Sequence, residues 1–405
     1  MSQSRSDFFP PQLNLPFVRF AQLIAPGGAY LLYQIELDID YDSLNRLITL
    51  RDQQVLLLPN HPTFQDPIAV FLLSGKLGQK FYYLAAYEQF QGILGKIFQW
   101  LGVYSIRRGL ADRASIAQTL ELLTQPGCHL VIFPEGGCSF QNDTVMPFRS
   151  GAVQLAFQAI NRSVKQGNPI PDLYVVPISI KYRYTQDMTA VIDHTLQRLE
   201  RALNVTSGSN RYERLRAIGE RVLTQIEQEY GIENHATEPK SWDQRIARLK
   251  AYVLTSCEHQ LGLMSAPSEL DRERVYKIQY ALQEKAEALD TSVTEVQTLR
   301  NLEAMRWSMI RMLNFDALYD GYVADDPTPE RFLDTLIRLE REVFKIDQPP
   351  PKGHRRALLR TGEPINLKDY FAAYQQNRSE TIATLVKQFQ QTVQSNLDRL
   401  SQSER

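Results

Sequence analysis

Between Ile35 and Tyr184 short aliphatic or β-branched runs alternate with stretches of helical spacing, and that alternation restricts the fold more than any other feature of the chain. Ile35 to Ile39, Val55 to Leu58, Phe81 to Leu84, His129 to Phe133 and Tyr174 to Ile180 are predicted as strands. Pro67 to Leu77, Leu94 to Gln99, Ala111 to Leu123 and Gly151 to Asn161 are predicted as helices. Such alternation implies an α/β layer structure. Beyond Tyr184 the pattern changes. Leu196 to Leu203, Tyr212 to Tyr230, Trp242 to Leu261, Glu273 to Leu289 and Val293 to Leu313 are rich in Glu, Gln, Arg, Leu and Ala at helical spacing. Breaks are expected at Ser207-Gly208-Ser209, around Pro239, at Asp325-Asp326-Pro327 and at Pro349-Pro350-Pro351. Arg356 to Arg360 (RALLR) then supplies one more strand, with a helix from Asp369 onward. A strand after so many helices reads as one returning to the sheet. The expected fold class is therefore α/β, a central mixed sheet flanked by helices, with a large all-helical insertion before the last strand. The expected division is an N-terminal segment 1–34, an α/β domain of 35–184 plus 353–405, and the insertion 185–352.

With 45 basic and 46 acidic side chains, the net charge of -1 gives no general electrostatic reason to bind nucleic acid. Cys128, Cys138 and Cys257 form neither a disulfide framework nor a C-x-x-C metal spacing, which fits a reducing compartment and implies no metal. The first residues have no uninterrupted apolar core and no small-residue cleavage site, so no export is expected. No run of about 18 consecutive apolar residues argues for a spanning helix. Phe17 to Tyr33 nevertheless concentrates aromatic and aliphatic groups around one Arg, interrupted by Pro26, Gly27 and Gly28. It fits either a membrane-interfacial segment or a helix packed on the core. The expected location is cytoplasmic and peripherally membrane-associated.

Val55 to Leu58 runs into Pro59-Asn60-His61-Pro62-Thr63-Phe64-Gln65-Asp66-Pro67, so polar residues follow the carboxyl end of a buried strand, where α/β sheets place ligands. A neutral imidazole can take a proton at physiological pH, and a carboxylate on its other ring nitrogen fixes the tautomer and supports the imidazolium. On one continuous helix, residues five apart point about 140° from each other, so His61 and Asp66 would not meet. Pro67 disfavours helical conformation at Asp66 and suits the first helical position itself, which predicts a turn from His61 to Asp66 followed by a helix. On the short pattern alone, Asp66 as a simple N-cap and His61 as a loop residue stays open.

Three further blocks follow in order: Gly102-Val103-Tyr104-Ser105-Ile106-Arg107-Arg108-Gly109, then Val131-Ile132-Phe133-Pro134-Glu135-Gly136-Gly137, then Val175-Val176-Pro177-Ile178. Together with His61 and Asp66 they resemble the four-block pattern of the glycerolipid acyltransferases, most closely the lysophosphatidic acid acyltransferase type, over about Asn60 to Ile180. The resemblance implies His61 and Asp66 as the catalytic pair, and Arg107 or Arg108 with Glu135 and Gly136 as acceptor-binding residues, with Gly137 beside them. Guanidinium forks suit phosphate oxygens, which agrees with the arginines. Where members of that family commonly have Thr, Arg and Ser after the Glu-Gly, this chain has Gly137, Cys138 and Ser139 and lacks the basic residue. Arg149, with Lys181 and Arg183, is the candidate to compensate, and the acceptor's head group is left open. Cys138 is expected to line the pocket, since nothing nearby in sequence lowers its pKa. Gly362-Glu363-Pro364-Ile365 resembles the Gly-x-Pro segment that follows the family's last strand, which agrees with an insertion.

The implied activity is transfer of a fatty acyl group from acyl-CoA or acyl carrier protein, as co-substrate, to a hydroxyl of a glycerolipid acceptor such as lysophosphatidic acid. His61 would be the general base and Asp66 its orienter, with no cofactor and no metal. The implied partners are an acyl thioester donor, a lysophospholipid or glycerol-phosphate-type acceptor and a membrane surface. The altered Gly137-Cys138-Ser139 segment motivates one rival, a catalytically weak or inactive lipid-binding scaffold on the same frame. A Ser hydrolase ranks lowest, because no G-x-S-x-G elbow occurs.

Overall fold

The computed structural model of the chain describes residues 8–109, 111–205, 208–232, 241–287, 293–316 and 319–402. Ser207, Pro239 and the expected helix end at Leu289 lie outside them. The chain divides into two compact units, one of Met1–Ile106, Ala111–Gln186 and Gly353–Arg405, the other of Arg107–Leu110 and Asp187–Lys352.

The first unit is built on an eight-stranded mixed sheet. Its strands are β1 (Ile35–Ile39), β2 (Gln54–Pro59), β3 (Tyr82–Ala86), β4 (Val103–Ile106), β5 (His129–Val131), β6 (Leu173–Tyr184), β7 (Arg355–Thr361) and β8 (Ile365–Asn366). They run in the order β1-β7-β6-β2-β5-β3-β4, with β8 paired to β6. From β6 to β4 every pairing is parallel. β7 lies antiparallel to β6 and parallel to β1, which makes the sheet mixed. β7 follows the helical region in sequence but inserts between β1 and β6, so that region is an insertion within one sheet. Two strands follow it instead of the single one expected, because the two-residue β8 also pairs with β6.

The helices of this unit that precede the insertion are α1 (Leu15–Leu32), α2 (Tyr41–Thr49), α3 (Asp66–Leu77), α4 (Gly92–Trp100), α5 (Arg113–Leu123) and α6 (Gly151–Lys165). Helices cover both faces of the sheet, which is why β2 reads as an unbroken apolar run. Val55 and Leu57 point into one core cluster with Ala69, Val70 and Leu73 of α3. Leu56 and Leu58 point into the other, with Val153, Ala156 and Phe157 of α6. Side chains alternate between faces at period two, and here both faces are buried.

Three local expectations change. The Pro26-Gly27-Gly28 stretch does not interrupt α1, which is one continuous helix with Pro26 inside it. β4, a four-residue strand at one end of the sheet order, was not expected, and β5 is shorter than the expected His129 to Phe133. α1 docks on α3 through Gln22, whose amide donates to Ser74 Oγ (3.0 Å) and to the Gln79 carbonyl (2.6 Å). A Cβ on Gly75 would lie 3.4 Å from Gln22 Cβ, so glycine there permits the close approach. Its outward face leaves Phe20, Leu23, Ile24, Leu31 and Leu32 exposed. Among the described residues α1 is the helix long and apolar enough, by length and composition, to cross a membrane.

The second unit holds α7 (Thr189–Leu203), α8 (Arg211–Glu229), α9 (Trp242–Leu261), α10 (Asp271–Glu287), α11 (Val293–Asn314), α12 (Tyr322–Asp325) and α13 (Pro329–Phe344). Buried arginines tie these helices together. Arg245 bridges Glu220 and Glu227, Arg311 pairs with Glu342, and Arg338 donates to the carbonyls of Asn314 and Asp316 at 2.7 Å each. Burial pushes the Arg338 guanidinium down to about 10. The chain then returns to the first unit and ends in α14 (Phe371–Gln376) and α15 (Arg378–Gln402). The apolar stripe Leu385, Phe389, Val393 and Leu397 of α15 completes the core on the α6 face.

Candidate active site

β2 delivers its last residues to the carboxyl edge of the sheet, and Asn60 holds the chain there. Its side chain accepts from Ile180 N (2.7 Å) and donates to Ile180 O (3.0 Å), extending the β2–β6 pairing by a side-chain bridge. The turn that follows brings His61 and Asp66 together: His61 Nδ1–H donates to Asp66 Oδ2 at 2.6 Å. The helix starts at Asp66, one residue before the predicted Pro67, with Gln65 as N-cap. Asp66 is not a cap. Its Oδ2 also accepts from Thr63 N (2.9 Å), while Oδ1 accepts from Thr63 Oγ1 (2.9 Å) and from the Tyr182 phenol (2.8 Å). A fully buried carboxylate is tolerable because those donors, the imidazole and the first turn of a helix all favour its charge.

With Nδ1 committed to Asp66, the network assigns the lone pair of neutral imidazole to Nε2. The His61 side chain is 15% exposed, enough for one edge to be reached from outside. Burial by itself lowers the His61 pKa. The electrostatic and hydrogen-bonding influence of Cys138 and of Asp66 outweighs it, and the pKa stands well above its usual value. The ring packs against Phe133, centroid to centroid at 4.4 Å.

The loop after β5 clasps the His61 main chain. Glu135 Oε1 accepts from His61 N at 2.7 Å, Oε2 accepts from Met146 N at 3.2 Å, and Ser139 N donates to His61 O at 2.8 Å. Glu135 is 2% exposed, and its carboxylate accepts from the main chain of His61 and of Met146. Gly136 has φ +75°, and a Cβ there would come within 2.9 Å of Arg149 Nε, so Arg149 lies packed over this turn. Gly137 leads on to Cys138, whose Sγ lies 3.5 Å from His61 Nε2 and 3.8 Å from Nδ1.

The remaining basic candidates are Lys181, Arg183, Arg107 and Arg108. Lys181 is buried in an ion pair with Asp143 and donates to Ser401 Oγ, and Arg183 donates to the Leu400 carbonyl. Arg107 and Arg108 belong to the helical unit, where the Arg108 guanidinium stacks over the Tyr276 ring at 4.3 Å. Gly109 in the same turn has φ +85°, and a Cβ there would meet the Tyr276 backbone at 2.5 Å.

Sequence reasoning missed Tyr182, whose phenol donates to Asp66. Asn142 brackets its backbone through Tyr182 N (2.7 Å) and O (2.6 Å), and the Arg355 guanidinium lies 4.7 Å over its ring. Burial, then the Asp66 charge, push its phenol well above the usual value, so it remains a neutral donor. The readable signal was its alternation along β6 between Lys181 and Arg183, which marks an inward side chain.

Residues 41–181 match the family model of the acyltransferases, the family of 1-acylglycerol-3-phosphate acyltransferases. The matched span runs from α2 into β6 and contains His61, Asp66, Glu135 and Cys138. No curated protein matches the chain. The match supports acyltransferase activity in general.

Proposed function

From an acyltransferase-family domain at residues 41–181, we propose that this protein moves a fatty acyl group from acyl-CoA or acyl carrier protein to a hydroxyl of a glycerolipid acceptor such as lysophosphatidic acid. The observation that carries the reading is the 2.6 Å bond between His61 Nδ1 and an Asp66 carboxylate that is itself held by Thr63 and Tyr182. Asp66 fixes the tautomer, Nε2 takes the proton of the acceptor hydroxyl, and the oxygen attacks the thioester carbonyl carbon. The carrier leaves as a thiol when the imidazolium returns its proton. This chemistry draws on the imidazole and calls for no cofactor or metal. Arg149, packed on the Gly136 turn, supports an anionic acceptor at that side, and Arg107 and Arg108 remain candidates from the helical unit.

A membrane surface is the proposed partner, with the protein on the cytoplasmic side and held peripherally. In support, α1 lies against the α/β unit with its apolar face outward, and Phe17 meets Trp100 of α4 at 5.4 Å, where Ile93 and Leu94 are also exposed. The rival reading, a lipid-binding scaffold, has no use for a buried carboxylate held by three further donors beside an imidazole.

The test is release of free thiol from an acyl thioester across a panel of lysophospholipid and glycerol-phosphate acceptors. His61→Ala is expected to lower turnover by about 10²- to 10⁴-fold in a folded protein. Full turnover in that variant would sink the mechanism, and no release with any acceptor would favour the scaffold.

A further inference from the structure

Strand β7 carries three arginines with unlike surroundings. Arg356 and Arg360 point to one face, where Arg356 pairs with Glu36 at 3.1 Å and Arg360 with Asp40 at 2.8 Å. Arg355 points to the other face, with Ala357 and Leu359, and is 7% exposed. Among the described residues no carboxylate pairs with it, and its Nε has no hydrogen-bond partner. What surrounds it belongs to the His61 site. Nη2 donates to Gln65 Oε1 at 3.3 Å, and the guanidinium lies 4.7 Å over the Tyr182 ring and 6.0 Å from that of Tyr184. Gln65 is the N-cap residue directly before Asp66, and Tyr182 donates its phenol to Asp66 Oδ1. A buried charge without an ion pair is costly, and an apolar side chain of similar volume often serves a core as well or better. Arg355 and Tyr182 both lie beyond residues 41–181, the span shared with the family.

We propose that Arg355 is a positioning residue for acyl transfer, holding the His61–Asp66 turn from the β7 side through Gln65 and Tyr182. The proposal rests on the acyl-transfer reading above and names a residue that serves the base through its neighbours.

A cation over an aromatic face draws on the ring electrons, which makes the phenol a stronger donor. Burial and then the Asp66 charge raise the Tyr182 pKa, and the Arg355 charge is the largest influence against them. A stronger bond to Oδ1 withdraws negative charge from Oδ2, the oxygen that faces the imidazole. Direct repulsion between guanidinium and imidazolium adds to this in an interior that screens poorly. Burial lowers the His61 pKa, while Cys138 and Asp66 lift it well above the usual value. Arg355 limits that rise, so more of the base is neutral near physiological pH. The titratable groups around the two ends are few. Tyr182 and Tyr184 of β6 face Arg355, and the adjoining His354 is engaged with Tyr30 of α1 at 4.4 Å. Asp66 and Cys138 face the His61 ring, and Glu135 holds its main chain.

The full-length protein with isotope-labelled histidine is titrated by NMR, the His61 imidazole being assigned by its loss in His61→Gln. Arg355→Met is expected to raise the His61 midpoint by about one pH unit. Thiol release from palmitoyl-CoA near neutral pH, with lysophosphatidic acid as acceptor, should fall about tenfold through kcat, with KM for the donor kept. Arg355→Lys retains the charge and is expected to bring the midpoint back to the wild-type value. In a Tyr182→Phe background the shift caused by Arg355→Met should be smaller, because the route through the phenol is gone. An equal shift in both backgrounds overturns the proposal, since Arg355 would then act by its own charge alone. A loss of urea stability with midpoint and kcat in place overturns it too. Arg355→Gln is the second neutral variant, and unfolding of both would make Arg355 a structural residue and overturn the proposal as well. No thiol release with any acceptor of the panel overturns the acyl-transfer reading, while the imidazole titration still decides for or against Arg355.

Discussion

The phenol of Tyr182, on the long strand β6, donates to Asp66 Oδ1 at 2.8 Å, tying the orienter of the base to the middle of the sheet. Asp66 is fully buried, so each donor it keeps is worth more than at a surface. Tyr182→Phe removes one donor without changing shape. The expected cost in stability is about 1.5–3 kcal/mol, read from urea unfolding, since the bond runs to a charged group. The carboxylate left with fewer donors holds its charge closer to the imidazole. The His61 pKa should therefore rise, and the ascending limb of the pH–rate profile should move to higher pH. A purely structural role for the phenol would leave that limb in place.

Glu135 offers a second handle, because it holds the His61 main chain. Glu135→Gln keeps one acceptor oxygen and puts an amide where either His61 N or Met146 N now donates. Turnover should fall by up to about 10²-fold, the scale of a displacement of roughly 1 Å at a catalytic group. KM for the donor should change little, and single-turnover kinetics separates the two.

The pH dependence follows from the direction of the His61 shift. General-base activity needs neutral imidazole, so kcat/KM should rise with pH through a midpoint well above 6.5. Asp66→Asn removes a cause of the elevation, so what activity remains should have its limb at lower pH. Stability runs the other way. A folded-state pKa above the unfolded one contributes stability that is fully present below about 6.5 and is lost as pH rises through the folded value. Wild-type protein should therefore lose urea stability relative to His61→Gln across that rise.

Much of this site is written locally. β2, the turn closed by Pro67 and the blocks around Glu135 are short-range patterns. The return of β7 to the sheet was legible because one apolar run followed many helices. What escaped the sequence is pairing over distance. Tyr182 and Asp66 are 116 residues apart, and nothing in either neighbourhood names the other. The same holds for Cys138 and His61, where the residue type was visible and the contact was not. β4 escaped for another reason: four residues at the end of the sheet order carry too little periodicity to separate from a loop. α1 runs through Pro26 because tertiary docking of Gln22 onto Ser74 and Gln79 sustains a helix that local propensity would break.

The outward face of α1 yields the last prediction. Leu23, Leu31 and Leu32 are 79%, 76% and 73% exposed, far more apolar surface than a helix packed on a core would leave open. Each large side chain moved from water into the acyl boundary contributes about 1.5–3 kcal/mol, so loss of two should weaken binding by roughly 10²-fold or more. Leu23→Gln with Leu31→Gln leaves the docked residues Val18, Gln22 and Ala29 untouched. In flotation with vesicles of neutral and anionic phospholipid, the wild type should rise with the lipid and the double variant should stay in the dense fractions. Thiol release toward a water-soluble, short-chain acceptor should be equal in the two, because the His61 site does not include this face. Equal flotation of both proteins would show that α1 does not carry the membrane contact.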